Sequence, residues 1–166
     1  MRAERLAASA VGGPATPALA VPALLLVLAV AGLGISSYLT YAHWADASIA
    51  CTGLESCDTV NSSEYAEMAS IPVAFLGALF YLTLIVVALA WLWWRPQGLT
   101  WPVMAFWGLS LGGVIYSAYL TYLELFVINA ICIWCVASAV VLVALFGLST
   151  IEVRRVTQGD EERDPE

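Results

Sequence analysis

Four stretches of this 166-residue chain are almost wholly apolar, and they limit what it can fold into more than any motif does. A helix of ~20 residues is needed to cross a hydrocarbon core ~30 Å thick. The stretches run from about Val21 to Tyr41, Pro72 to Trp94, Trp101 to Leu123 and Val127 to Ile151. Their apolar residues form continuous blocks rather than period-2 or period-3.6 stripes, the pattern of segments solvated by lipid. Charged residues make up only 11% of the chain, against about 25% in an ordinary globular domain, too few to clothe a water-facing surface. Aromatic rings gather near the ends of the stretches, at headgroup depth: Tyr38, Tyr41 and Trp44; Trp91, Trp93, Trp94 and Trp101; Tyr119 and Tyr122.

The arginines orient the bundle. Arg2 and Arg5 precede the first span, Arg95 lies between the second and third, and Arg154, Arg155 and Arg163 follow the fourth. The two remaining loops, about 42–71 and 124–126, hold no Lys or Arg, so the positive-inside rule places both termini in the cytoplasm and those loops outside. The expected fold is all-α: an integral membrane four-helix bundle embedded in a lipid bilayer, with a long outer loop between helices one and two. Residues 1–20 form a flexible cytoplasmic head, 21–151 the membrane domain and 152–166 an acidic cytoplasmic tail. A cleaved signal peptide is not expected, because the first apolar run follows a Gly/Pro/Ala stretch and no small-residue cleavage site lies close behind it. The net charge of −7 comes mostly from the outer loop and the tail, and no basic patch offers a surface to nucleic acid. Pro72 suits the first turn of the second span, and a short amphipathic helix is expected over about Ser63–Ala69.

The chemistry is carried by four cysteines. Cys51 and Cys57 lie in CTGLESC on the outer loop, and Cys132 and Cys135 lie in CIWC at the outer start of span four. That compartment permits disulfides, so an even number of cysteines there reads as redox partners. Cys132 and Cys135 are three apart, on one helix face, at a helix N-terminus whose partial positive charge favours a thiolate. Such a dithiol sits where a lipid-soluble oxidant and a water-soluble protein can both reach it. Two blander readings compete: a four-cysteine zinc site, disfavoured by the C-x5-C spacing, and structural disulfides in a non-catalytic scaffold or transporter. Acids, bases and other ionisable groups are absent from the span interiors, which speaks against a charged-substrate pathway.

Other residues invite plainer explanations. His43, the only histidine, fits an interfacial position better than a proton shuttle. Glu124 reads as a solvated loop acid, with the alternative that an acid near CIWC tunes its thiols. Gly108, Gly112, Gly113 and Ala118 read as a small-residue face for close helix packing. Trp134 fits a quinone pocket and an interfacial anchor equally well.

In the order CTGLESC, DTVNSSEY, SIPVAFLG and CIWC, roughly residues 20–150 resemble the bacterial branch of the vitamin K epoxide reductase family. The disulfide bond formation protein B family has similar chemistry, but its C-x2-C lies in the first outer loop, whereas here it comes last. The resemblance implies a membrane thiol–disulfide oxidoreductase that supports disulfide formation in secreted proteins. Cys132 and Cys135 would be the pair beside a quinone of menaquinone or ubiquinone type, with Cys135 attacking the ring. Cys51 and Cys57 would be the shuttle pair, Cys57 exchanging with Cys132 and Cys51 meeting the protein partner through a mobile loop. Ser63 matches the loop serine that the family needs, although Ser62 is adjacent and both could instead cap a short helix. The partner would be a separate thioredoxin-like (DsbA-type) protein outside the inner membrane, since the chain ends soon after span four. Two departures stand out. Val73 and Ala139 occupy positions where vertebrate members place an Asn and a Tyr against the quinone. Binding should then rely on apolar and aromatic packing, which speaks against epoxide reduction and leaves quinone reduction intact.

Overall fold

The computed structural model describes residues 20–51, 56–68, 70–94 and 101–161. Arg2, Arg5, Glu55, Arg95, Arg163 and the expected head lie outside them. Helix α1 spans Ala20–Trp44 and is followed by a short α2, Ser56–Asn61. A 3-10 turn over Glu64–Ala66 leads to an antiparallel hairpin, β1 Glu67–Met68 and β2 Ile71–Pro72. Then come α3, Val73–Trp94, and α4, Trp101–Leu123, which runs into a π turn over Glu124–Ile128. Last is α5, Ile133–Glu161.

Helices α1, α3, α4 and α5 are each long and apolar enough to cross a membrane. They form a bundle in which α1 packs most extensively on α3 and α4 on α5, α1 also meets α5, and the α3–α4 seam is the loosest. The core holds Leu25, Ala29, Tyr81, Leu84, Phe106 and Leu145. Val27, Val86, Ile115 and Val140 point outward and exposed, as expected of helices whose solvent is lipid. Trp93 is 79% exposed, but Trp91 is core, not an interfacial ring, because it faces the bundle axis one half-turn away.

Small residues do permit close packing, at Gly113 as expected and also at Gly32. A Cβ on Gly113 would press on Phe80 at 2.9 Å and Leu142 at 3.1 Å, and one on Gly32 would overlap the ring of Tyr81. Gly108 and Gly112 face open space, so the G-x-x-x-G pair is not a helix contact here.

Three local expectations also change. Span four starts at Ile133 rather than near Val127, because Asn129 takes a left-handed φ of 54° and its N–H turns back to the Glu124 carbonyl. No amphipathic helix covers Ser63–Ala69: Ser63 is extended (ψ 157°), and Ser70, at φ 65°, closes the hairpin. Pro72 therefore ends β2, immediately before α3. Finally, α5 continues past Ile151 into the segment expected to be tail, where Glu152 is buried and accepts a 2.9 Å hydrogen bond from Arg155.

Candidate active site

The loop after α1 is held in place, not left free. Asp46 takes a left-handed φ of 47°, and the Ala47 N–H returns to the Ala42 carbonyl, the six-to-one bond that closes a helix end. Beyond it the Ile49 N–H donates to Asp58 Oδ1 (2.8 Å) and the Ala50 N–H to the Tyr38 hydroxyl (3.0 Å). The Ala50 carbonyl accepts from the Trp134 indole (3.0 Å), whose ring also rests against Tyr38 at 5.3 Å. His43 is bonded at both ring nitrogens, to the Asn61 carbonyl (2.8 Å) and Glu67 Oε1 (3.0 Å), tying α2 and β1 to α1. So His43 is a structural tie of the loop at the end of α1. These bonds hold the described part of the loop against α1 and the start of α5.

This clamp delivers the cysteines to one place. Cys51 and Cys57 are joined in a disulfide, and Cys132 and Cys135 are free thiols. Cys57 (2% exposed) and Cys132 (1%) share a buried cluster with Leu39, Ala42 and Ile49, and Cys51, Cys135 and Trp134 pack against it.

Cys132 occupies the position just before α5, its carbonyl accepting the Val136 N–H at 3.0 Å. Its sulfur is thus placed as a cap would be, in front of the unpaired N–H groups of the first turn. The thiol of Cys135 hydrogen-bonds to it, and this contact more than any other pulls Cys132 down to about 7. Burial opposes the shift; the backbone N–H groups of Cys135 and Trp134 add to it, and the nearby Glu124 charge opposes it. An ordinary cysteine titrates near ~8.5, so the shift favours the reactive thiolate of Cys132. Ultraviolet titration of the thiolate should show one group with a midpoint near 7. That group should vanish in Cys132→Ala and move to higher pH in Cys135→Ala, which lacks the donor. A midpoint unchanged in Cys135→Ala would show that the helix end alone sets it.

Glu124 is a residue that sequence reading misjudged. It is 4% exposed, not solvated. One carboxyl oxygen accepts the Cys132 N–H at 3.3 Å, and the carboxyl also hydrogen-bonds with the Cys135 thiol. The π turn swings it inward at the end of α4. One signal was available: its neighbours in LELFVINAICIWC are apolar on both sides, unlike those of a loop acid.

Beside the thiols is a cavity of about 420 Å³. It lies among α1, α3, α4 and α5 and is roofed by Val60, Asn61, Ser63, Tyr65 and Met68 of the loop. Its walls are mainly apolar, with Leu39, Val73, Leu76, Phe80, Leu120 and Leu142 prominent. Cys132, Cys135 and Glu124 form one edge. Cys51, Cys57 and Trp134 lie outside the lining. Trp134 instead pins the loop. The Ser63 hydroxyl lines the cavity and donates to the Val60 carbonyl (2.8 Å), capping no helix, while Ser62 bonds the Asp58 carbonyl (2.7 Å). Val73 is a wall residue and Ala139 is not. Deeper in, the Tyr81 hydroxyl meets Ser138 Oγ at 2.8 Å, a pair with no counterpart in the sequence reading.

A helical membrane bundle that holds a loop disulfide against a free dithiol at the rim of an apolar cavity has the parts of a membrane thiol–disulfide oxidoreductase. The profile of the Vitamin K epoxide reductase family matches residues 23–150, most of the chain, and the chain belongs to that family.

Proposed function

We propose that this protein reoxidises a separate thioredoxin-like protein outside the cell membrane and passes the electrons to a membrane quinone. The observation that carries this reading is the gathering of all four cysteines in or against one buried cluster, with only Cys132 and Cys135 reaching the cavity. Cys51 is the less buried member of the loop pair and so the one to meet a protein partner, while Cys57 packs in the cluster with Cys132. A loop disulfide beside a free dithiol is the state reached once the loop has handed its electrons inward.

The cavity fits a quinone. Its volume of about 420 Å³ lies within the ~300–1,000 Å³ of small-molecule pockets, and its apolar walls carry only a few convergent polar groups. A bound quinone supplies a two-electron, two-proton acceptor. The chain contributes the rest: apolar walls that exclude water, the loop that roofs the site, and Cys135 and Cys132, which become a disulfide. Ser63 stiffens the turn of that roof through its bond to Val60.

The cysteine end of the bundle faces outward in this reading. Arg154 and Arg155 lie near the C-terminal end of α5 and Cys132 precedes its N-terminus, so basic residues and thiols occupy opposite ends. In a Gram-negative cell the cysteine end would face the periplasm. The test is spectrophotometric: purified protein in nanodiscs, a reduced thioredoxin-like oxidant of secreted proteins, and ubiquinone or menaquinone analogues. Quinol should form with at least one quinone class. No quinol with either class would overturn the reading.

A further inference from the structure

We propose that Glu124 is a catalytic residue of the quinone half-reaction, taking the thiol proton of Cys135 and passing it to the quinone oxygen. This rests on the relay proposed above and adds to it the group that moves the proton. Three observations place Glu124 in that role. Its carboxyl hydrogen-bonds with the Cys135 thiol, it lines the cavity where the acceptor fits, and it is withdrawn from water in a site otherwise short of bases.

The need for a base is set by the dithiol. Cys132 is the member favoured as thiolate, and the Cys135 S–H is shared between its sulfur and the Glu124 carboxyl. Cys135 must lose that proton before its sulfur can release electrons, because the thiolate is the nucleophile. The loop above and the helices around the cavity line it mainly with apolar side chains. The titratable side chains facing Glu124 are few: Cys132 and Cys135 from the start of α5, and Tyr65, Tyr81 and Tyr116 on the cavity walls. Tyrosine, with an ordinary pKa near ~10, is a poor acceptor at neutral pH. That leaves the carboxylate.

The step balances. The Cys135 S–H bond breaks and its proton goes to a Glu124 carboxyl oxygen. The Cys132–Cys135 S–S bond forms, and two electrons leave for the quinone. One proton follows from Glu124, and the other, which Cys132 had already released to water, returns from solvent. The sum is two thiols and a quinone giving a disulfide and a quinol.

Glu124→Gln isolates the proton, because an amide oxygen can still accept the Cys132 N–H and hold the turn. General acid–base groups typically contribute about 10²- to 10⁴-fold, and quinone reduction by pre-reduced protein should fall by that order in Glu124→Gln. Exchange between the reduced partner and Cys51–Cys57 should stay near wild type, and Glu124→Asp should recover part of the loss with a shifted pH profile. A second measurement needs no quinone: infrared difference spectra between protein reduced by a dithiol and protein oxidised by a soluble disulfide. A protonated-carboxyl band that changes with redox state should appear in wild type and be missing in Glu124→Gln. Wild-type rates in Glu124→Gln would overturn the proposal and leave the relay standing. Equal loss of thiol exchange and quinone reduction, with a lowered melting temperature, would make Glu124 a structural residue instead. If wild type reduces no quinone the relay fails, and an unchanged carboxyl band would then dispose of the proton acceptor as well.

Discussion

Replacing Cys135 with alanine is expected to reduce quinol formation to the uncatalysed background, and Cys132→Ala should do the same. The reason is stoichiometric as much as geometric. Two electrons leave as one disulfide forms, and a lone sulfur at the cavity edge cannot form it. The two variants should nevertheless differ in what they trap. In Cys135→Ala the Cys132 sulfur still packs in the cluster that holds Cys57, and no Cys135 is left to carry an exchange forward. A stable Cys57–Cys132 disulfide should therefore accumulate and be visible by mass spectrometry of non-reduced peptides. In Cys132→Ala that cross-link cannot form. Retained turnover in either variant would rule out the electron route through this pair.

The second large effect is a change of reductant specificity. Cys51→Ala should abolish turnover driven by the reduced protein partner yet keep most of the turnover driven by a small membrane-permeant dithiol. Burial supplies the argument: Cys57 is 2% exposed and Cys132 1%, so a folded protein cannot bring its own sulfur to either. Cys51 is only partly buried. A small dithiol can approach Cys135 along the cavity wall and bypass the loop. Equal loss with both reductants would show that Cys51 is needed for the inner exchange and not for meeting the partner.

The elements that sequence reading placed well are those decided locally. The first three spans begin and end within a few residues of their expected bounds, because a run of ~20 apolar residues carries its own reason to be helical in lipid. The fourth was started too early, because nothing in FVINAI announces a π turn and a left-handed Asn129 before the helix. Of the glycines expected to make close helix contacts, Gly113 does and Gly108 and Gly112 do not. Whether Gly112 or Gly113 meets a neighbour depends on one residue's rotation about α4, about 100° in a helix of 3.6 residues per turn.

The same division runs through the site. Four cysteines in two groups, one beginning a membrane helix, could be read from the string because each group is a matter of spacing. Trp134 shows the opposite case. Its indole bonds a carbonyl 84 residues away, and only that contact reveals it as a clamp on the Cys51 segment rather than part of the cavity wall.

Helix number, helix length and the chemical type of the reactive groups were thus inherent in the order of residues, since transfer into lipid and thiol reactivity are properties of short segments. Which sulfur borders the cavity, and the conversion of Glu124 from an ordinary acid into a buried neighbour of both reactive cysteines, came from how α4, α5 and the loop close on one another. Burial belongs to a pair of surfaces, and no single segment carries it.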